Sequence, residues 1–298
     1  MNHQQTQIRK AAVLGAGVMG AQIAAHFANA GIPVILYELA GDEGDPNRLV
    51  KEAIKRLAKL KPAPLAAPDL AMHIRPANYD QDLADLGECD LVIEAIAERM
   101  DWKKDLYGKV VPHLSSSAIF ATNTSGLSIN SLADVLPEEV RARFCGVHFF
   151  NPPRYMHLAE LIPGDATEPA VLDGLETFLT TAIGKGVVRA KDTPNFVGNR
   201  IGVFAMASAM YHTQAFELPF DVADQLTGPL IGRPKSATYR TADVVGLDTM
   251  AHVTKTMADT LPDDPWHRYF AIPDWFQALI DSDRLGQKTG AGIYRKQG

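Results

Sequence analysis

Only two cysteines, Cys89 and Cys145, occur in 298 residues, far apart and in neither a CxxC nor a zinc-type spacing. That excludes a disulfide framework and a cysteine-built metal site, and no other metal site is expected. It fits a reduced, cytoplasmic setting in which each thiol packs as a small hydrophobe. No apolar run approaches the about 20 residues needed to span a bilayer. The polar opening "MNHQQTQIRKAAVLG" has no apolar signal core, so neither a membrane partner nor a secretory leader is expected. Positive charge is in deficit: the net charge is −6. Nucleic acid is therefore excluded as a bulk partner, because phosphate binding requires a basic field. A small anionic ligand held by a few local groups stays compatible. Internal repeats are also lacking.

What is present is an alternation. "AAVLG", "IPVILYE", "CDLVIEAI", "AIFATNTS", "ARFCGVHFF" and "GKGVVRA" read as buried strands. Helical spacing separates them, as in "VMGAQIAAHFANAG", where Met19, Ile23 and Phe27 share one face and Gly31 stops the helix. Such alternation predicts an α/β fold, a doubly wound Rossmann-type parallel sheet with helices on both faces. After "GKGVVRA" only helix-length patterns follow, and Asp192 or Thr193, with Pro194 at the first turn, is expected to cap the first of them. The division predicted is 1–190 for the dinucleotide-type domain and 191–298 for a smaller all-helical domain.

"GAGVMG" follows a strand and opens a helix, which is the context a GxGxxG fingerprint demands. Gly15 permits the tight turn, Gly17 lets backbone N–H groups approach a pyrophosphate, and Gly20 lets helix lie close on strand. With Val18 and Met19 these residues begin a helix whose N-terminus favours phosphate. Glu38 ends the next strand. A carboxylate there accepts both ribose hydroxyls of NAD and repels the 2′-phosphate of NADP, and no arginine follows in "YELAGD" to neutralise one. The cofactor predicted is NAD.

Oxidising an alcohol against a nicotinamide needs a base for the hydroxyl proton, and histidine titrates near working pH. Of nine histidines, His3 lies in the tail, and His26, His73, His113, His157, His212, His252 and His267 read as helix-surface or loop residues. His148 ends a strand, and ligands of open α/β sheets bind outside those ends. Glu160, in "HLAELIP", is either an edge glutamate facing water or a buried carboxylate that needs a cationic partner. On these residues alone His148 remains either a base or a satisfied strand histidine.

"VLGAGVMG", "VIEAIAE", "NTSG", "GVHFFNPP", "KDTPNFVGNR" and "GLD" together resemble, in order, the L-3-hydroxyacyl-CoA dehydrogenases, from Ala11 to about Tyr294. The resemblance implies NAD-dependent oxidation of an L-3-hydroxyacyl-CoA to the 3-oxoacyl-CoA, a step of fatty-acid β-oxidation. His148 would be the base, oriented by Glu160. Ser125 would bond the substrate's 3-oxygen near the nicotinamide, and Asn199 would help hold the substrate. Asn151 would support the loop after the base, and Glu98 and Lys103 would contact the cofactor's nicotinamide end. Gly126 stands where compact members carry a second serine. "TGPLIGRPKSATYRTADVVGLD" is closer to the dehydrogenase portion of long bacterial fatty-acid oxidation proteins, which ends about where "GAGIYRKQG" does. An enoyl-CoA hydratase-like domain, fused or associated, follows as a candidate partner, as does a homodimer through Val203 to Met210. The basic face of "RLVKEAIKRLAKLK" (Arg48, Lys51, Lys55, Arg56, Lys59, Lys61) is either a solvated surface or a contact for coenzyme A phosphates.

Two other readings share part of the pattern. A 3-hydroxyisobutyrate-type dehydrogenase shares the "GxGxMG" opening but relies on an interdomain lysine. A non-catalytic NAD-binding protein of the crystallin kind would keep the fold without needing a buried base and its acid.

Overall fold

The computed structural model describes residues 7–41 and 44–295; His3 and Asp42 lie outside them. Two compact units run Met1–Phe196 and Val197–Gly298.

The first unit is built on one sheet in the order β3-β2-β1-β4-β5-β6-β7-β8. Its strands are β1 (Ala11–Leu14), β2 (Val34–Glu38), β3 (Ile74–Asn78), β4 (Leu91–Glu94), β5 (Ile119–Thr122), β6 (Phe144–Phe149), β7 (Leu158–Pro163) and β8 (Gly186–Arg189). The helices are α1 (Val18–Asn29), α2 (Arg48–Leu57), α3 (Met100–Val110), α4 (Ile129–Ala133), α5 (Glu138–Arg141) and α6 (Pro169–Thr181). β1 to β6 are mutually parallel, and the chain order reverses between β1 and β4, the switch point of a doubly wound sheet. The sheet is not parallel throughout, as the strand pattern alone implied. β7 returns antiparallel to β6, and β8 runs parallel to β7. Strand direction depends on the length of the connection, and the short 150–157 link after β6 brings the chain straight back.

Alternation along the strands divides the core into two layers. Val13, Leu36, Ile93, Val147 and Phe149 pack with α1 and α6, where Phe27 meets Phe149 and Phe178 at 6.3 and 6.0 Å between ring centres. On the opposite face Tyr107 of α3 stands edge-on to Phe120 and Phe144, at 4.9 and 5.8 Å. Truncating a ring buried this way costs about 3–5 kcal/mol.

β3 was not legible as a strand. "IRPAN" carries Pro76, and proline is tolerated in a sheet at an edge, which is where β3 lies.

His26 departs from its expected place on a helix surface. It is buried on α1, and neither ring nitrogen makes a well-formed hydrogen bond; the Ile183 backbone gives only a weak contact that opposes the pKa shift. Burial pushes its pKa down from 6.5 to about 4, and the charges of Lys185 and Arg154 add to this. The unfolded chain therefore takes up a proton first as pH falls. Stability present above pH 6.5 is lost through pH 4, by about 3 kcal/mol. His26→Leu is expected to flatten the fall of Tm across that window, checked by thermal melts at a series of pH values.

The second unit is helical: α7 (Gly198–Ala215), α8 (Phe220–Leu226), α9 (Tyr239–Val245), α10 (Leu247–Thr260) and α11 (Asp274–Asp281). Met210, Tyr239, Leu247, Met250 and Phe276 form its core. Two buried carboxylates tie down its C-terminal segment. Asp243 accepts the N–H groups of Ile293 and Tyr294, and Asp224 accepts those of Thr238, Tyr239 and Arg240 together with the Tyr294 hydroxyl.

The expected cap of α7 is corrected. α7 begins only at Gly198, after a turn in which Asn195 and Phe196 are left-handed (φ 58° and 49°). Asp192 instead caps α4: its carboxylate accepts the N–H groups of Ile129 and Asn130 and the Ser128 hydroxyl. No helix among the described residues is long and apolar enough to cross a membrane.

Candidate active site

The glycine loop between β1 and α1 has the geometry its spacing predicts. Gly15 sits at φ +100°, and a Cβ at Gly20 would stand 1.8 Å from the Gly15 carbonyl oxygen. A Cβ at Gly17 would meet no atom within 4 Å, so the backbone there is open to a ligand. No side chain caps α1, which leaves its first-turn amides to an incoming anion. Val18 is exposed, whereas Met19 turns toward the core. Glu38, at the end of β2, accepts the N–H groups of Ala16 (2.8 Å) and Leu39 (2.9 Å), which fixes its carboxylate beside the loop. A cavity of about 420 Å³ opens here, lined among others by Gly15, Gly17, Glu38, Ala95, Trp102 and Lys109. An uncapped helix N-terminus, an open glycine and an adjoining carboxylate fit a dinucleotide.

His148 and Glu160 are directly opposite each other in the antiparallel β6–β7 register. Facing side chains in such a pair are close enough to bond, and Nδ1 of His148 lies 2.7 Å from Oε2 of Glu160. The pair points away from the Val147–Phe149 core layer, since successive strand residues alternate faces. Both are buried, at 3% and 0% exposure. Phe150 and Phe196 flank the ring at 4.5 and 5.8 Å. A carboxylate only accepts, so Nδ1 must carry the hydrogen, and Nε2 is left as the basic nitrogen. Asn123 adds a further tie, its Oδ1 accepting the Phe149 N–H at 2.9 Å.

The remaining predicted residues fall into separate settings. Glu98 is 42% exposed at its side chain. Its Oε1 accepts the Ser125 and Gly126 N–H groups (2.8 and 3.0 Å) and the Thr124 hydroxyl. Ser125 itself is exposed. Lys103 is fully buried, with its ammonium on both oxygens of Glu94 (2.6 and 2.8 Å) and 3.6 Å from Glu98. Of the two residues assigned to the nicotinamide end, Glu98 is thus the one open to a ligand. Asn151 is exposed just after β6 and accepts from the Gln22 amide at 3.1 Å. Asn199 is half-buried in the first turn of α7, in the second unit. Cys89 and Cys145 are buried free thiols, and burial pushes their pKa values up to about 11 and about 12. Among the described residues no group of three or more His, Cys, Asp or Glu side chains is placed to hold a metal ion.

Sequence reasoning missed Glu94, although a signal existed. "CDLVIEAI" sets a carboxylate in an apolar strand, as "HLAELIP" does for Glu160.

Known proteins match nearly the whole chain. The family described as 3-hydroxyacyl-CoA dehydrogenase, NAD binding domain, matches residues 10–193, and 3-hydroxyacyl-CoA dehydrogenase, C-terminal domain, matches residues 196–296. A probable 3-hydroxyacyl-CoA dehydrogenase of Deinococcus radiodurans is 44% identical over 291 residues, covering 97% of this chain and 83% of that protein. One of Bacillus subtilis is 42% identical over 306 residues, covering 98% of this chain but 39% of its own length. The crystal structure of (S)-3-hydroxybutyryl-CoA dehydrogenase from Ralstonia eutropha superposes with a TM-score of 0.79 at 28% identity, covering 98% of this chain and 100% of that one.

Proposed function

Since the chain belongs to the 3-hydroxyacyl-CoA dehydrogenase family, we propose that it is an NAD-dependent enzyme that oxidises the 3-hydroxyl of an L-3-hydroxyacyl-CoA to a ketone. The observation that carries this reading is the buried His148–Glu160 pair, set at the C-terminal end of β6 in a sheet whose first turn is built for a dinucleotide.

Glu38 and the amides opening α1 hold the cofactor. When bound, its nicotinamide supplies the hydride acceptor. Nε2 of His148 takes the hydroxyl proton and returns it in the reverse direction. Glu160 keeps the ring in the Nδ1–H tautomer and offsets the charge when Nε2 is protonated. Ser125, on the loop fixed by Glu98, donates to the substrate's 3-oxygen. Phe150 and Phe196 keep water from the ring, which strengthens every electrostatic contact in the pocket. Asn199 is a proposed substrate contact. The outer face of α2 exposes Lys55 and Arg56, and the turn after it exposes Lys59, while Val50, Ala53 and Leu57 face the core. That exposed basic face is a proposed site for coenzyme A phosphates. A homodimer and association with a hydratase-like domain belong to the same reading, and sedimentation equilibrium reports the former.

The test is NADH absorbance in the presence of acetoacetyl-CoA. Steady oxidation supports the reading. Binding of NADH without turnover of acyl-CoA substrates of any length rejects it. Glu38 yields a second expectation. Glu38→Ala removes charge-assisted bonds worth about 1.5–3 kcal/mol each. It is expected to raise the KM for NAD at least about tenfold and to admit NADP, as measured by initial rates with both cofactors.

A further inference from the structure

Glu94 ends β4 and is completely buried, yet no role in binding or proton transfer falls to it. Four donor groups converge on its carboxylate. Oε1 accepts from the Lys103 ammonium (2.6 Å) and the Ile96 N–H (2.7 Å). Oε2 accepts from Lys103 (2.8 Å), the Tyr107 hydroxyl (3.0 Å) and the Thr122 hydroxyl (2.7 Å). A protonated acid could not accept them all. Lys103, also fully buried, spends two directions on Glu94. Its ammonium lies 3.6 Å from Oε2 of Glu98, beyond hydrogen-bond length but well within electrostatic reach. The other oxygen of Glu98 collects the Ser125 and Gly126 N–H groups and the Thr124 hydroxyl. The backbone oxygen of Glu94 also accepts the Asn123 N–H (2.7 Å), and Asn123 bonds the residue after His148.

We propose that Glu94 is a positioning residue for the Thr124–Gly126 loop: it anchors Lys103, the anchored ammonium sets Glu98, and Glu98 holds the backbone that presents Ser125. The proposal rests on the dehydrogenase reading for what the loop does, but not for the relay itself. Its physical logic is a division of charge. One lysine stands between two carboxylates. Bound at two points by the buried one, it is kept from closing onto the exposed one. Glu98 then keeps one oxygen for the loop. Take the charge from Glu94, and the nearest remaining anion for Lys103 is Glu98. Lys103 then leaves its fixed place, Glu98 loses the cation that set it, and the loop amides lose a fixed acceptor.

A purely structural ion pair predicts something different. Its loss lowers stability everywhere and leaves turnover per folded molecule unchanged. Glu94→Gln separates the two by amide hydrogen exchange followed by NMR. The relay predicts that Ser125 and Gly126 exchange at least about tenfold faster, while Phe120 and Ala121 in β5 keep their native protection. With acetoacetyl-CoA, kcat is expected to fall about 10- to 100-fold, with the Kd for NADH within about threefold. Native protection at Ser125 and Gly126, or loss shared equally with β5, overturns the proposal. If Glu94→Gln does not fold, Glu94→Gln/Lys103→Met removes both buried charges together, which the fold tolerates better than one alone. The same loop-specific exchange is expected, because Glu98 then has no cation to set it. A native protein that does not oxidise NADH would sink the dehydrogenase reading, while the exchange data would still decide the relay.

Discussion

Replacing His148 by glutamine is expected to lower NADH oxidation with acetoacetyl-CoA by roughly 10²- to 10⁴-fold, the usual contribution of a positioned acid or base. The affinity for NADH should stay within about twofold, because the glycine loop and Glu38 lie at the ends of β1 and β2, away from β6. Glutamine approximates the size of the ring, and its amide can still donate to Oε2 of Glu160, so the buried carboxylate keeps a partner. What it lacks is a nitrogen that takes up and gives back a proton. The change should therefore appear in kcat rather than in KM or Tm. A rate unchanged within about twofold would mean that some other group moves the proton.

Glu160→Gln carries the second large effect, by a different route. The side chain keeps its shape but can turn an N–H₂ toward Nδ1. The hydrogen is then driven to Nε2, and the ring faces the substrate in the wrong tautomer. The corresponding change in a serine-protease triad costs about 10⁴. Glu160 lies between two neighbouring strands with no exposure, so solvent does little to soften the loss. We expect kcat to fall by about 10²- to 10⁴-fold, with NADH affinity retained. Titration calorimetry with NADH alongside initial rates checks both statements. Retained turnover with glutamine would show that Glu160 serves the sheet rather than the ring.

The dinucleotide half of the fold was legible because two independent signals coincide there. Apolar runs of strand length alternate with helical spacing, and "GAGVMG" marks the one turn where glycine is sterically required. Gly20 shows that requirement most plainly, since any Cβ there meets the Gly15 carbonyl. The direction of β7 was not legible, because an apolar hexapeptide reads the same in either sense. β3 was obscured by Pro76 for the same reason that it sits at the edge. Asp192 looked like the cap of the helix that follows it, yet it caps α4, more than sixty positions earlier in sequence. A capping carboxylate can be recognised locally, but which helix it serves depends on tertiary contacts.

The candidate site divides the same way. His148 and Glu160 were legible as a polar pair placed where strands should be apolar. That they face each other required the register of β6 and β7. Glu94 announces itself by the same cue and was passed over, because its partner Lys103 reads in sequence as one more charge on an amphipathic helix. Burial turns that lysine from a surface residue into the counter-ion of a strand carboxylate.

The ¹⁵N spectrum of the His148 imidazole tests the account most directly, recorded on the resting protein at a pH where the ring is neutral and assigned with His148→Gln. A general base held by Glu160 shows a protonated Nδ1 coupled to that carboxylate and a bare Nε2. A ring protonated at Nε2, with Nδ1 bare, would contradict it.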